Sequence, residues 1–316
     1  MRSGPVIPTI DIAALGSSDI ADRRVVAQAI GAACEDTGFF TVINHGVHAS
    51  TVGDAFREAR RAFGRPMAEK LMHRLDDRHP NQGYDPIGGQ TLDPSAEPDL
   101  KESWSFSSED YPGAGHPMQG ANRWPPLEGF KTPIQRYHTA VMGLAEQLLR
   151  AMALSLDLDE SAFAEYHRDP ICTLRLLHYP ARADDATELS FGAGTHTDWG
   201  ALTLLAQDDA GSLEVLDRSG RWIDVPPVDG AFVVNVGDLL ALWTNDRYTS
   251  TPHRVRGAVG QDRYSIACFF DLDPEKQIET LPTCVTADRP ARYAPTTPGE
   301  HLTAKYRASM SVGSAA

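Results

Sequence analysis

Two rhythms of apolar positions divide this chain. Up to about residue 156 apolar residues recur mainly at helical spacing, whereas from Ile171 onward they fall into short runs broken by turn residues. In the first part, Ser18 or Asp19 is placed to cap a helix that carries Val26, Ile30 and Ala33 on one stripe and ends near Gly38. A second helix is predicted from about Ser50 to Phe63, with Val52, Phe56, Ala59 and Phe63 on its apolar stripe. A third, from about Pro133 to Leu156, turns Val141, Leu144, Leu148 and Met152 inward. VIPTIDI and FFTVINHG, on either side of the first helix, read as strands. Between the second and third helices, from about His79 to Pro133, lies a glycine- and proline-rich stretch that reads as a binding loop or lid over a pocket.

The second part reads CTLRLLHYP, ALTLLAQ, LEVLD, WIDVPP, FVVNVGD, LLALWTN and YSIACFFDLDP, each taken as a strand. Such a cadence, with turns such as Asp217-Arg218-Ser219-Gly220, predicts an antiparallel sandwich, barrel or jelly roll. The expected fold is therefore mainly β with flanking helices.

Composition narrows the function. The chain has 316 residues, 41% of them hydrophobic, which is ample for a large core. A formal charge of −14 and a pI near 5.2 argue against nucleic acid and against an anionic membrane surface as partners. A small-molecule substrate is the default. No apolar run is long enough to span a bilayer, and MRSGPVIPTIDIAAL lacks the pattern of a secretory leader, so a cytoplasmic location is expected. Cys34, Cys172, Cys268 and Cys284 lie far apart without a C-x-x-C pair and read as buried thiols.

Candidate chemistry appears in GAGTHTDWGALTLLAQDD, residues 192 to 209. If this segment is extended, His196 and Asp198 leave the backbone on the same face. His253, in TSTPHRV near the end of another strand-like run, is a second imidazole that an antiparallel barrel can bring alongside. Two imidazoles and one carboxylate on one face of a metal suit non-haem Fe(II), with the remaining positions open. Ten residues further on, Arg263 and Ser265 again alternate, so a guanidinium and a hydroxyl face one way, well suited to grip a carboxylate. A dicarboxylate co-substrate would fit there.

These motifs, together with ACEDTGFFTVINHGV, GYDP, DLKESWSF, NRWPP, LRLLHYP, HTDWGALTLLAQDDAGSLEV, WIDVPPVDGAFVVNVGDLLALWTND, STPHRV and RYSIACFF, resemble the isopenicillin N synthase-like superfamily of 2-oxoglutarate- and Fe(II)-dependent dioxygenases. The resemblance covers nearly the whole chain. It implies a double-stranded β-helix (jelly-roll) core, with residues 1–125 as an N-terminal helical and β region and residues 126–316 as the long helix, core and C-terminal segment of one compact unit. It implies Fe(II) held by His196, Asp198 and His253, and Arg263 and Ser265 holding the distal carboxylate of 2-oxoglutarate. Tyr179 matches a tyrosine of the family's N-Y-Y-P motif that hydrogen-bonds the co-substrate; the motif's asparagine is Leu177 in this chain. Arg175 shares the face of Tyr179 and is costly in an apolar barrel unless paired. Either it meets a carboxylate of the co-substrate or of an acidic substrate, or strand twist turns it to a surface acid.

The activity implied is decarboxylation of 2-oxoglutarate with O2, coupled to oxidation of a small-molecule C–H bond, by default hydroxylation. Two alternatives stand beside it: a 2-oxoglutarate-independent oxidase of the same family, and a non-catalytic ligand- or oxygen-sensing protein. Tyr84, Gln90, Trp104, Phe106, His178, Trp199, Phe269 and Phe270 are candidate substrate-wall residues, of which about half are expected to face the substrate. Their mixture suggests a small polar or amphipathic molecule such as an amino acid derivative or natural-product intermediate.

Overall fold

The computed structural model describes residues 7–76, 81–107, 116, 118, 120–181, 190–257 and 260–313. Chain order begins with β1 (Thr9–Asp11), α1 (Ile20–Asp36), β2 (Phe39–Ile43), α2 (Ala49–Phe63) and the short α3 (Met67–Leu71). Then come β3 (Gly83–Asp85), β4 (Glu102–Ser107) and the long α4 (Lys131–Ser155). The second half runs β5 (Cys172–Tyr179), β6 (Ala193–His196), β7 (Leu202–Gln207), β8 (Leu213–Leu216), β9 (Trp222–Asp224) and β10 (Phe232–Val236). It closes with α5 (Asp238–Trp243), β11 (His253–Val255), β12 (Arg263–Phe270) and α6 (Pro298–Gly313).

The strands form two sheets, one ordered β1-β2-β10-β7-β12-β5-β4-β3 and the other β6-β11-β8-β9. Every pairing in them is antiparallel except β1 with β2. This is a jelly-roll core with flanking helices. One large apolar cluster fills the space between the helices and the eight-stranded sheet, and a smaller one, including Phe39, Leu177, Tyr179, Val215, Val233 and Val255, lies around the inner faces of the two sheets.

The helical stripes sit where their spacing puts them. Val26, Ile30 and Ala33 of α1, Phe56, Ala59 and Phe63 of α2, and Val141, Leu144, Leu148 and Met152 of α4 are all buried, while Val52 is half-buried. Asp19 is the cap of α1, its carboxylate accepting from the Ala21 N–H at 2.8 Å.

Two sequence expectations change. LLALWTN is not a strand: residues Asp238–Trp243 form a helical turn and a half opened by Gly237. Leucine and alanine are good helix formers, and a short apolar run carries too few residues for its period to decide the matter. The stretch from 79 to 133, read as a binding loop or lid, carries strands as well. β3 and β4 lie within it and extend the large sheet from β5, with Trp104 opposite Leu176 and Ser105 opposite Arg175. ESWSFS alternates large and small side chains, but its six residues are too polar to read as a buried strand. His79, Pro80 and residues 108–115, 117 and 119 of this stretch, like Val6 of VIPTIDI, lie outside the described residues.

Candidate active site

The small sheet positions both imidazoles. β6 ends at His196 and β11 begins at His253, and the two are register partners, with ring centroids 4.3 Å apart. Each ring is oriented by its own backbone: His196 Nδ1 lies 2.7 Å from the Gly194 carbonyl and His253 Nδ1 3.2 Å from that of Thr251. Nδ1–H therefore donates, and the Nε2 lone pairs are left free for a ligand. These Nε2 atoms stand 3.9 and 3.8 Å from Asp198 Oδ1.

Asp198 lies just past β6, so strand alternation is not what brings it in. Its other oxygen, Oδ2, accepts from Thr203 Oγ1 at 2.5 Å and from Asn235 Nδ2 at 2.7 Å, which leaves Oδ1 facing the imidazoles. Close backbone packing holds the segment: the Asp238 N–H donates to the Asp198 carbonyl at 2.8 Å, and a side chain at Gly237 would overlap the Gly200 carbonyl. A side chain at Gly200 would in turn overlap the Asp271 carboxylate.

Burial, then repulsion from His253, drives His196 down to about 3. Burial alone would raise Asp198, but the two imidazoles and the Asn235 and Thr203 hydrogen bonds outweigh it and hold the carboxyl below its ordinary value. A neutral His196 beside an ionised Asp198 has the protonation states a divalent cation requires. One ligand atom from each residue falls within 4.8 Å of the others. This donor set, nitrogen and oxygen without sulfur, fits Fe(II).

Arg263 is fully buried, at 0% exposure, with no carboxylate within ion-pair distance among the described residues. Its Nε donates to the Gly211 carbonyl at 2.6 Å, and its two terminal nitrogens reach Ser265 Oγ at 3.1 Å and Gln207 Oε1 at 3.2 Å. The guanidinium also lies 4.8 Å from the centre of the Tyr179 ring. A buried guanidinium held only by neutral groups is a ready anion site.

One cavity of about 160 Å3 joins these groups, and His196, Asp198, His253, Arg263, Ser265, Tyr179 and Arg175 all line it. Arg175 points inward rather than to a surface acid; its Nε donates to Ser105 Oγ at 3.0 Å and one terminal nitrogen to Asn81 Oδ1 at 3.3 Å. Burial lowers its basicity, while Asp85 and Asp198 act the other way.

Of the expected wall residues, Gln90, Trp199 and Phe269 line the cavity. The other five belong elsewhere. Tyr84 gives its hydroxyl to Glu102, Trp104 packs on His73, Phe106 stacks on Trp124, His178 Nδ1 bonds Glu102 at 2.8 Å and Phe270 is core. Sequence reasoning missed Asn81, Lys101, Thr203, Asn235, Asp271 and Leu302, which also line the cavity. The signal for Asp271 was present, since it continues the alternation Arg263, Ser265, Ala267, Phe269 by one more step.

Comparison with known proteins meets this geometry at both ends of the chain. Residues 7–127 match the N-terminal model described as non-haem dioxygenase in morphine synthesis, and residues 170–272 match the 2OG-Fe(II) oxygenase superfamily. A 2-oxoglutarate-Fe(II) type oxidoreductase of Emericella nidulans, hxnY, is 36% identical over 96% of this chain and 90% of its own length. The chain belongs to the 2OG-Fe(II) oxygenase superfamily. The 2-oxoglutarate-dependent dioxygenase citB of Monascus ruber is 37% identical over 89% of each chain. Among solved structures, a full-length Neurospora crassa protein in complex with alpha-KG is 32% identical, covers 98% of both chains and superposes with a TM-score of 0.88. The complex of that Neurospora protein with alpha-KG and thymine gives 0.89 at 31% identity.

The oxygenase is thus an enzyme that uses Fe(II), 2-oxoglutarate and O2. No described helix is long and apolar enough to cross a membrane.

Proposed function

We propose that His196, Asp198 and His253 are the Fe(II) ligands, and that Arg263 and Ser265, flanked by Tyr179, bind the distal carboxylate of 2-oxoglutarate. The observation that carries this reading is the shared cavity, lined both by an imidazole and carboxylate cluster and by a fully buried guanidinium with no carboxylate in ion-pair distance among the described residues. The bound iron and co-substrate supply oxidative decarboxylation coupled to C–H oxidation, with hydroxylation as the default outcome. The protein contributes orientation. Thr203 and Asn235 confine Asp198 to one free oxygen, the Gly194 and Thr251 carbonyls fix the imidazole tautomers, and Phe39 packs edge-on against His253 at 5.2 Å. Apolar residues such as Leu177, Leu213 and Val255 exclude water around the anion anchor.

The substrate, on this reading, is a small polar metabolite, an amino acid derivative or natural-product intermediate, taken up in the cytoplasm. Four buried free thiols fit a reducing compartment. Residues 1–125 and 126–316 act as one unit, because β1 and β2 share a sheet with β10, and β3 and β4 share it with β5. The test is substrate-free turnover: with Fe(II) and ascorbate the protein should convert 2-oxoglutarate slowly to succinate, and removal of iron by a chelator should stop it. Absence of both succinate and measurable 2-oxoglutarate binding would reject the assignment.

A further inference from the structure

Along β5 and β12 the cavity-facing side chains form a ladder. Tyr179 stands opposite Arg263, Leu177 opposite Ser265, Arg175 opposite Ala267 and Thr173 opposite Phe269, and Asp271 follows one alternation beyond the strand. The anion anchor occupies one end of this ladder. Phe269 is also opposite Thr203, which holds the free-standing carboxylate of Asp198, so the metal-ligand cluster sits level with the other end.

The charges along the ladder are not equally provided for. Lys101, which also lines the cavity, is paired with Asp99. Arg263 is matched by the co-substrate's distal carboxylate on the reading above, and Asp198 with the co-substrate's other carboxylate balances a ferrous ion. Arg175 and Asp271 remain. Arg175 has a second terminal nitrogen with no hydrogen-bond partner and no carboxylate within ion-pair distance among the described residues. Asp271 is 4% exposed and spends one oxygen on the Ala201 N–H at 2.9 Å; its other oxygen has no partner among the described residues. Burial, reinforced by the charge of Asp198, pushes this carboxyl up to about 7, against the Ala201 hydrogen bond.

Four residues separate the rung of Arg175 from Asp271, about 13 Å at strand rise. The arginine side chain shortens that gap, since its guanidinium reaches to 5.3 Å from the centre of the Phe269 ring. Phe269 therefore stands between the rung of Arg175 and Asp271 along the strand, a flat apolar wall with a cation on one side and a carboxyl on the other.

Building on the co-substrate assignment above, we propose that Arg175 and Asp271 are the two poles of the substrate subsite, and that the substrate is a net-neutral small molecule with an acceptor group toward Arg175 and an N–H or O–H donor toward Asp271. A lactam-type heterocycle and a zwitterionic amino acid both carry this chemistry. A ligand that is only a carboxylate satisfies Arg175 but offers Asp271 no donor and, wherever Asp271 is ionised, sets a second anion beside it in a dry cavity, which is unfavourable.

The test uses the full-length protein, loaded anaerobically with Fe(II) and 2-oxoglutarate, and follows the visible charge-transfer band of that complex. Three probe panels are titrated: lactams (uracil, thymine, 2-pyridone), amino acids (proline, leucine, phenylalanine) and donor-free carboxylates (benzoate, cyclohexanecarboxylate). A lactam or an amino acid should perturb the band at about tenfold lower concentration than any donor-free carboxylate, and the responding panel tells heterocycle from zwitterion. Asp271→Asn, which presents a donor where the protein has an acceptor, should raise the half-saturating concentration of that probe about tenfold or more. Its affinity for 2-oxoglutarate should stay unchanged, a split that general loss of structure would not give. Arg175→Gln should weaken the same probe. A response confined to donor-free carboxylates, or an Asp271→Asn protein that binds the responding probe as well as wild type does, would overturn the proposal. Failure of the wild-type protein to form the band at all would instead count against the co-substrate assignment.

Discussion

β5 and β12 present two buried faces that differ in kind. Toward the helices stand Cys172, Leu174 and Leu176 with Ile266, Cys268 and Phe270; toward the cavity stand Thr173, Arg175, Leu177 and Tyr179 with Arg263, Ser265, Ala267 and Phe269. Both faces are shielded from water, yet only the first is assembled as a core. Its polar members are neutralised within the protein: His138 Nε2 lies 3.0 Å from Cys172 Sγ, and Glu102 gathers Lys70 at 2.6 Å and His178 at 2.8 Å. The second face keeps a guanidinium and a carboxyl short of partners, which a purely structural interior avoids because unpaired buried charge is costly. Incomplete satisfaction is what separates a site from a core when burial does not.

The largest expected break in this comparison comes from the metal cluster. His196→Ala and Asp198→Ala should each lose iron binding and O2 consumption while leaving the far-UV circular dichroism unchanged; turnover retained by either variant would refute the ligand assignment. Next, Arg263→Ala should weaken 2-oxoglutarate by about 2–5 kcal/mol, the scale for truncating one side of a buried charge pair, as read by co-substrate titration. On the other face, Ile266→Ala should lower unfolding free energy by about 2–5 kcal/mol in a denaturant titration without a matching loss of co-substrate affinity. If the two variants had the same profile, the faces would not be functionally distinct.

The smallest effect is on pH dependence in the metal-free protein, where the two faces tilt in opposite directions. Asp271, raised from 3.8 to about 7 chiefly by burial, binds its proton more tightly folded than unfolded. Its contribution is fully present below about pH 4 and is lost as pH rises through about 7. His138, lowered from 6.5 to about 4 by burial, contributes above 6.5 and loses that contribution as pH falls through 4. Asp271→Asn should therefore flatten the loss of melting temperature toward neutral pH, and His138→Gln the loss toward acid. Thermal scans across this range check both.

The site was more legible than the scaffold around it. His196, Asp198, Arg263 and Ser265 advertise themselves by short spacing, and chemical type alone singles out His253. Asn81, Lys101 and Leu302 reach the same cavity from distant segments whose local pattern carries no chemistry, so only tertiary packing reveals them. The strand at residues 102–107 was hidden by its serines, which are buried by pairing with β5 rather than by hydrophobicity. Aromatic residues misled in the opposite sense. Trp104 and Phe106 look like pocket walls but lie on the helix-facing side of β4, where large rings fill the interior.

The two glycines at 200 and 237 hold no proton, metal or ligand, yet the Asp198 segment is packed between Gly237 and the Asp271 carboxylate with no room for even a methyl group at either glycine. Exchanges at Gln90 or Leu92, which line the cavity, should therefore retune the chamber's specificity, whereas any side chain at these chemically silent positions should displace the Asp198 segment. In a saturation mutagenesis map they should stand out as intolerant sites that no inspection of reactive groups would have marked.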